Sequence, residues 1–175
     1  MEKELNWAVI GTGVIANEMA QALQRMDKTL YGVANRTQAK AIDFAKKYGV
    51  KKVYDEIDEV FDDENVDIIY LATSHNTHYQ FMKKALEHGK HLFVEKSITL
   101  NSRELDEMIA LAKEKNLILA EAMTIWHMPI YKAPPARFIL KKRLFISYSL
   151  KLPKFTVMIC ILPSSPLCTI FHNSL

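Results

Sequence analysis

Two clusters of residues in this chain could do chemistry. The first is Gly11-Thr12-Gly13-Val14-Ile15-Ala16, which follows the apolar run Trp7-Ala8-Val9-Ile10 and precedes a helical pattern. A Gly-x-Gly-x-x-Ala turn between a strand and a helix is the setting in which a dinucleotide fingerprint carries meaning. Gly11 would make the tight turn, Gly13 would admit a pyrophosphate with no Cβ in the way, and Ala16 would let the helix lie close on the strand. The free N–H groups and positive dipole end of a helix starting near Val14 would face the phosphates. Taken alone, the same residues also read as a plain glycine turn. The second cluster is Glu95-Lys96-Ser97, directly after His91-Leu92-Phe93-Val94. A lysine leaving the carboxyl end of a strand is a candidate general acid/base or carbonyl polariser, tuned by burial and by a neighbouring carboxylate. Otherwise it is half of a surface ion pair worth little.

Two further stretches would complete such a site. Thr73-Ser74-His75-Asn76-Thr77-His78 follows Asp67-Ile68-Ile69-Tyr70-Leu71-Ala72, a nearly all-apolar run. Such a run suits a parallel strand buried on both faces, and polar residues just past its carboxyl end lie where open α/β sheets bind ligands. His78 could donate to a ligand or help to position a nicotinamide; the plainer reading is a capped histidine in a first helical turn. Asn35-Arg36 closes the second strand candidate, near where a Rossmann unit reads its ribose. An Asp or Glu there would select NAD. The neutral Asn35 and the planar cation of Arg36 suit a 2′-phosphate or stack on adenine, which leans the reading toward NADP. Cys160 and Cys168 form no metal or redox spacing, and no metal site is expected.

The elements that must carry these residues alternate. A strand candidate at residues 7–10 precedes a helix over 14–27 with Ile15, Met19, Ala22, Leu23 and Met26 as its stripe. A strand over 30–34 follows, then a helix from the N-cap candidate Thr37 to Tyr48, closed by Gly49. Val53-Tyr54 reads as a short strand, residues 55–61 as a short acidic helix, and 67–72 as the buried strand. The next helix runs to His88 with Gly89 past its end. A strand over 91–94, a helix opened by Asn101 and Glu104, and a sixth strand over 117–122 complete the series. Strands alternating with helices predict an α/β fold, a doubly wound parallel sheet of the Rossmann type.

Composition divides the chain. Up to Lys132 there are 17 basic and 20 acidic residues; from Ala133 to Leu175 there are 6 basic and none acidic. All five glycines lie before residue 90, and the break falls at Ala133-Pro134-Pro135. The expected organisation is a dinucleotide-binding domain over residues 1–132 and a basic tail over 133–175 that is not a folded domain. No run approaches the roughly 20 apolar residues of a membrane span. The charged start Met1-Glu2-Lys3-Glu4 does not read as a signal peptide, and two cysteines suit a cytoplasmic protein without disulfides.

Together these motifs resemble the Gfo/Idh/MocA oxidoreductases, the family that includes glucose-fructose oxidoreductase and dihydrodiol dehydrogenase. The resemblance rests on Gly11-x-Gly13-x-x-Ala16, Asn35-Arg36, Ala72-Thr73-Ser74-His75-Asn76-Thr77-His78, Ala85-Leu86-Glu87-His88-Gly89-Lys90-His91 and Glu95-Lys96, and covers residues 5 to about 132. It implies NAD(P)-dependent hydride transfer to or from a sugar, polyol or related carbonyl carbon. It also implies that Lys96 assists proton transfer and that His78 matches a histidine after the fourth strand. Gly11, Thr12, Gly13, Val14, Ile15, Ala16, Asn35, Arg36, Thr73, Ser74, His75, Glu95 and Lys96 would then border the cofactor. Ser97 stands where the family has a proline, and Ser74 replaces another.

Family members continue with a second α/β domain that forms the substrate pocket, and residues 133–175 do not resemble it. The absence of acidic residues and glycine there suggests an aberrant or frameshifted reading. A membrane- or nucleic-acid-binding extension is disfavoured, because residues 155–162 are too few to span a bilayer and no stacking motif is present. Two functional classes remain: an oxidoreductase, or a dinucleotide-binding remnant without turnover because hydride transfer needs a shaped substrate site. A methyltransferase on the same kind of sheet is disfavoured by Glu95-Lys96.

Overall fold

In the computed structural model of the chain, residues 5–123 are described with their side chains and residues 146–152 and 155–161 by backbone alone. The chain divides into two compact units, Met1–Leu119 and Ala120–Leu175. The domain boundary expected after residue 132 lies outside the described residues.

The larger sheet has six short strands: β1 (Trp7–Ile10), β2 (Gly32–Ala34), β3 (Lys52–Val53), β4 (Ile68–Leu71), β5 (His91–Glu95) and β6 (Leu119–Ala122). Their order in the sheet is β3-β2-β1-β4-β5-β6, and the pairings β3–β2, β2–β1, β1–β4 and β4–β5 are parallel. This is the strand order of the doubly wound dinucleotide-binding fold. The chain reverses direction across the sheet between β1 and β4, and the crevice beyond their carboxyl ends is where such sheets bind ligands. β4 shows why it sits centrally: Ile68, Ile69, Tyr70 and Leu71 are all buried, as a strand covered on both faces requires.

Helices α1 (Val14–Gln24), α2 (Gln38–Tyr48), α3 (Glu59–Asp62), α4 (His75–Glu87) and α5 (Ser102–Glu114) connect the strands. The four longer ones end alike. Asp27, Gly49, Gly89 and Asn116 are left-handed, and the following N–H reaches back to Leu23, Ala45, Ala85 and Ala112 respectively. The left-handed Asp27 ends α1 at Gln24, earlier than the expected residue 27. The expected stripe on α1 also shifts: Ile15 is 42% exposed and Ala22 is exposed, while Ala16, Ala20 and Leu23 are buried. The small Ala16 takes the place nearest the sheet, and that phase turns Ile15 outward. Thr37 stands at the N-cap of α2 but makes no side-chain cap bond, whereas Asn101 accepts from the Glu104 N–H at 3.0 Å.

In the second unit, β7 (Ile146–Leu152) pairs antiparallel with β8 (Phe155–Ile161). No helix among the described residues is long and apolar enough to cross a membrane.

Candidate functional site

A cleft of about 500 Å³ opens at the carboxyl ends of β1, β2 and β4. The glycine turn forms its floor. Gly11 has φ +101°, and a Cβ there would stand 2.4 Å from the Ala72 carbonyl oxygen just past β4, so only glycine fits. The Gly11 N–H donates to Ala34 O at 2.9 Å, which ties the turn to β2. Gly13 has an ordinary φ of −72°, and a Cβ built on it meets nothing within 4 Å. Its missing side chain therefore serves no packing need; it leaves the cleft open.

Among the described residues, no acceptor meets the N–H groups of Thr12, Gly13, Val14, Ile15 and Ala16, and Gly13 caps α1 without a side-chain bond. Five successive free donors at a helix N-terminus make an anion site of backbone alone. α2 and α4 also begin at the cleft, with Thr37 and Ser74 at their caps and no side-chain cap bonds. Among the described residues, the only charged ones on the cleft wall are Arg36 and Lys40, both cationic and exposed. Ile57 and Phe81 supply an apolar wall at that end, and Thr73 and Thr77 a hydroxyl pair, with Thr77 Oγ1 donating to Ser74 O at 2.7 Å and accepting from Thr73 Oγ1 at 2.8 Å. This donor set fits a dinucleotide: amides for a pyrophosphate, an open face at Gly13, and cations where the ribose is read.

Of the residues expected at the site, Gly11, Thr12, Gly13, Asn35, Arg36, Thr73 and Ser74 border this cleft. Val14, Ile15 and Ala16 contribute N–H groups, while the Val14 and Ile15 side chains stand in solvent, 74% and 42% exposed. Lys40, Thr77, Ile57 and Phe81 were not among the expected residues. Lys40 lies on the first turn of α2, which begins just after Arg36, so the start of that helix is the signal that could have found it.

The remaining candidates meet at the turn beyond β5: Lys96 lies on it, Glu95 ends β5, and His75 and His78 reach it from the first turn of α4. His75 Nε2 donates to the Lys96 carbonyl at 2.8 Å. His78 is fully buried; its Nδ1 faces Ser97 O at 3.0 Å and its Nε2 faces Thr73 O at 3.2 Å. Both ring nitrogens are thus occupied by backbone carbonyls, and no edge of the ring is free to touch a ligand. Within the apolar phase of α4 it shares a face with the buried Met82, Ala85 and Leu86. Lys96 is exposed, and its ammonium has no hydrogen bond or ion pair among the described residues.

Glu95 is not its partner. Successive residues of a strand point to opposite faces, and Glu95 accepts from Tyr70 Oη at 2.6 Å. Burial first, and then this bond, push the Tyr70 phenol well above its ordinary range. The expected Glu95–Lys96 pair is not formed: the carboxylate is turned to Tyr70.

The chain is similar to known oxidoreductases. A family model described as "Oxidoreductase family, NAD-binding Rossmann fold" (GFO_IDH_MocA) matches residues 5–123. The trans-1,2-dihydrobenzene-1,2-diol dehydrogenase of Xenopus laevis is 32% identical over 129 residues, 72% of this chain and 39% of that protein. A probable dehydrogenase from Thermotoga maritima superposes with a TM-score of 0.66 at 31% identity, over 70% of this chain and 37% of that one. A 3-ketoreductase from Actinomadura kijaniata, in complex with NADP and TDP-benzene, gives 0.70 at 25% identity, over 74% and 40%. The chain thus spans about 39% of the length of the curated relative.

Proposed function

We propose a function from the premise that this chain belongs to the Gfo/Idh/MocA oxidoreductase family, with an NAD-binding Rossmann fold over residues 5–123. It binds a nicotinamide dinucleotide in the cleft, NADPH ahead of NADH, and serves hydride transfer to or from a sugar, polyol or related diol. The observation that carries the reading is the run of five free amides over an open Gly13. When bound, the dinucleotide supplies the hydride chemistry.

The chain's own residues supply the rest. The amides of residues 12–16 would hold the pyrophosphate. Arg36 and Lys40 would hold a 2′-phosphate, with Asn35 beside them on the ribose and Phe81 and Ile57 against the base. Lys96 Nζ, exposed and unpaired among the described residues, is the group that would give or take a proton at the substrate oxygen. His75 and His78 hold the turn that carries it, so His78 is a positioning residue. The substrate class follows the relatives, a trans-diol dehydrogenase and a 3-ketoreductase.

A second reading, cofactor binding without turnover, is favoured by one observation: Lys96 does not border the cleft among the described residues. Titration of the purified chain with NADPH and NADH, followed by nicotinamide fluorescence, tests the first step; a polyol and diol panel then separates the two readings. Arg36→Ala should weaken NADPH binding about tenfold, the worth of one charge-assisted contact, and leave NADH within about twofold. Equal losses for both cofactors would refute the NADP assignment, and no binding of either would sink the whole reading.

A further inference from the structure

Asn17 is the residue on which the glycine turn is hung, and no signal in the sequence marked it. Its Nδ2 donates to Gly13 O at 2.9 Å and to Thr12 O at 3.2 Å. Its Oδ1 accepts from Tyr48 Oη at 2.7 Å and from Lys47 Nζ at 3.0 Å. All four hydrogen-bonding positions of the carboxamide are used, and because carbonyls only accept, its orientation is unambiguous. Tyr48 is buried at the C-terminal end of α2, its ring tilted against Phe44 with centroids 4.8 Å apart, and its hydroxyl accepts from Gln21 Nε2 at 3.4 Å. The anchor is therefore a packed aromatic residue on a different helix.

We propose that Asn17, held by Tyr48 and Lys47, is the positioning residue that sets the phosphate-facing amides of the glycine turn. The inference rests on the dinucleotide-binding reading and deepens it. In a trans peptide the C=O of one residue and the N–H of the next point in opposite directions. Drawing the carbonyls of Thr12 and Gly13 toward Asn17 turns the N–H groups of Gly13 and Val14 away from it. Without the carboxamide no side chain among the described residues orients those two peptide planes; there the Asn17 N–H, donating to Gly13 O at 3.1 Å, alone remains. The same helix that offers Lys40 on its first turn, just after Arg36, thus braces the phosphate turn from its end. One rigid element sets both ends of the nucleotide site.

The test compares a ligand that needs the turn with one that does not. ADP-ribose carries the pyrophosphate; adenosine carries the base and ribose alone. Asn17→Asp keeps the acceptor toward Tyr48 and Lys47 but sets an oxygen against two carbonyls. It should weaken ADP-ribose binding about tenfold, the worth of one to two lost hydrogen bonds, and leave adenosine within about twofold. Asn17→Ala should do the same, and Tyr48→Phe, which keeps the ring and loses the anchor, should cost about threefold on ADP-ribose alone. Unchanged ADP-ribose affinity in Asn17→Asp would overturn the proposal. So would equal losses for both ligands, which would mark a damaged fold and no positioning role. A wild-type chain that binds neither NADPH nor NADH would overturn the underlying reading, and this inference with it.

Discussion

At the amino end of the parallel sheet, Asp63 Oδ2 accepts from Lys52 Nζ at 2.7 Å and from Tyr54 Oη at 2.9 Å, while Oδ1 accepts from the Asn65 N–H at 2.9 Å. Lys90, only 7% exposed, donates to Asp63 O at 2.6 Å and Val66 O at 3.0 Å, and the Ile118 N–H donates to His91 Nδ1 at 3.1 Å. At the carboxyl end, the amides of residues 12–16 have no acceptor among the described residues and Arg36 and Lys40 stand in an open cleft. The two ends share one sheet and differ in what they leave unpaired. Polar groups satisfied within the fold contribute to stability; polar groups left aimed into a cleft are available to a ligand. Substitutions at the two ends should therefore separate folding from binding.

Gly11 is the one position where the two cannot be separated, and Gly11→Ala has the largest expected effect. The left-handed φ and the contact with Ala72 O would cost about 3 kcal/mol or more and push β1 and β4 apart. Both the urea midpoint and dinucleotide binding should collapse; a near-normal melting curve would show that the turn is not what joins these strands.

Lys90→Ala should break the amino end alone. It strips two carbonyls of a cationic donor and opens a small void, a loss of about 2–3 kcal/mol in urea denaturation, with NADPH affinity unchanged within about twofold. A parallel loss of affinity would mean that the two ends are coupled.

Gly13→Ala makes the opposite prediction. The backbone there suits alanine and nothing crowds its Cβ, so stability should hold or rise by a few tenths of a kcal/mol. Dinucleotide affinity should fall at least about tenfold, because the methyl group takes the space a pyrophosphate would enter. Titration calorimetry of the folded variant decides it: wild-type affinity would show that the ligand does not approach this turn.

How much of this was legible beforehand follows the same division. The sheet was readable because buried parallel strands are unbroken apolar runs and glycine marks left-handed caps, as at Gly49 and Gly89. The caps at Asp27 and Asn116 were not, since those residue types occupy helices and turns as readily. The glycine turn was readable because its chemistry belongs to the backbone and needs only spacing. Side-chain roles were harder, because they depend on which way an element is rotated. Glu95 and Lys96 look like a pair in one dimension, but the Glu95 carboxylate is turned to Tyr70. His78 looks like a site residue beside Thr77, but the phase of Met82, Ala85 and Leu86 already placed it inward. Asn17 carried no signal, because its partners Tyr48 and Lys47 lie some thirty residues away and meet it only once α1 and α2 are packed.

The smallest effect should appear on the acid side of stability and should come from the amino end. Burial would raise the Asp63 carboxyl, but the bonds from Lys52, Asn65 and Tyr54 outweigh it and hold the group well below the ordinary carboxylate range. The unfolded chain then takes up a proton there at a higher pH than the folded chain does. The stabilisation is fully present above the unfolded value near pH 4 and is lost as pH falls below it. His91 acts with the same sign at higher pH. Burial lowers its pKa against the smaller pull of Asp67, so the unfolded state gains its proton first below about pH 6.5. Wild-type urea midpoints should fall in two steps on acidification, and Asp63→Asn should flatten the lower step while leaving the upper one in place. The cofactor affinity of Asp63→Asn at neutral pH should match wild type, because no acidic residue of this network borders the cleft. An unflattened lower step would assign the acid lability to other carboxylates; a loss of affinity would place the Asp63 network in communication with the site.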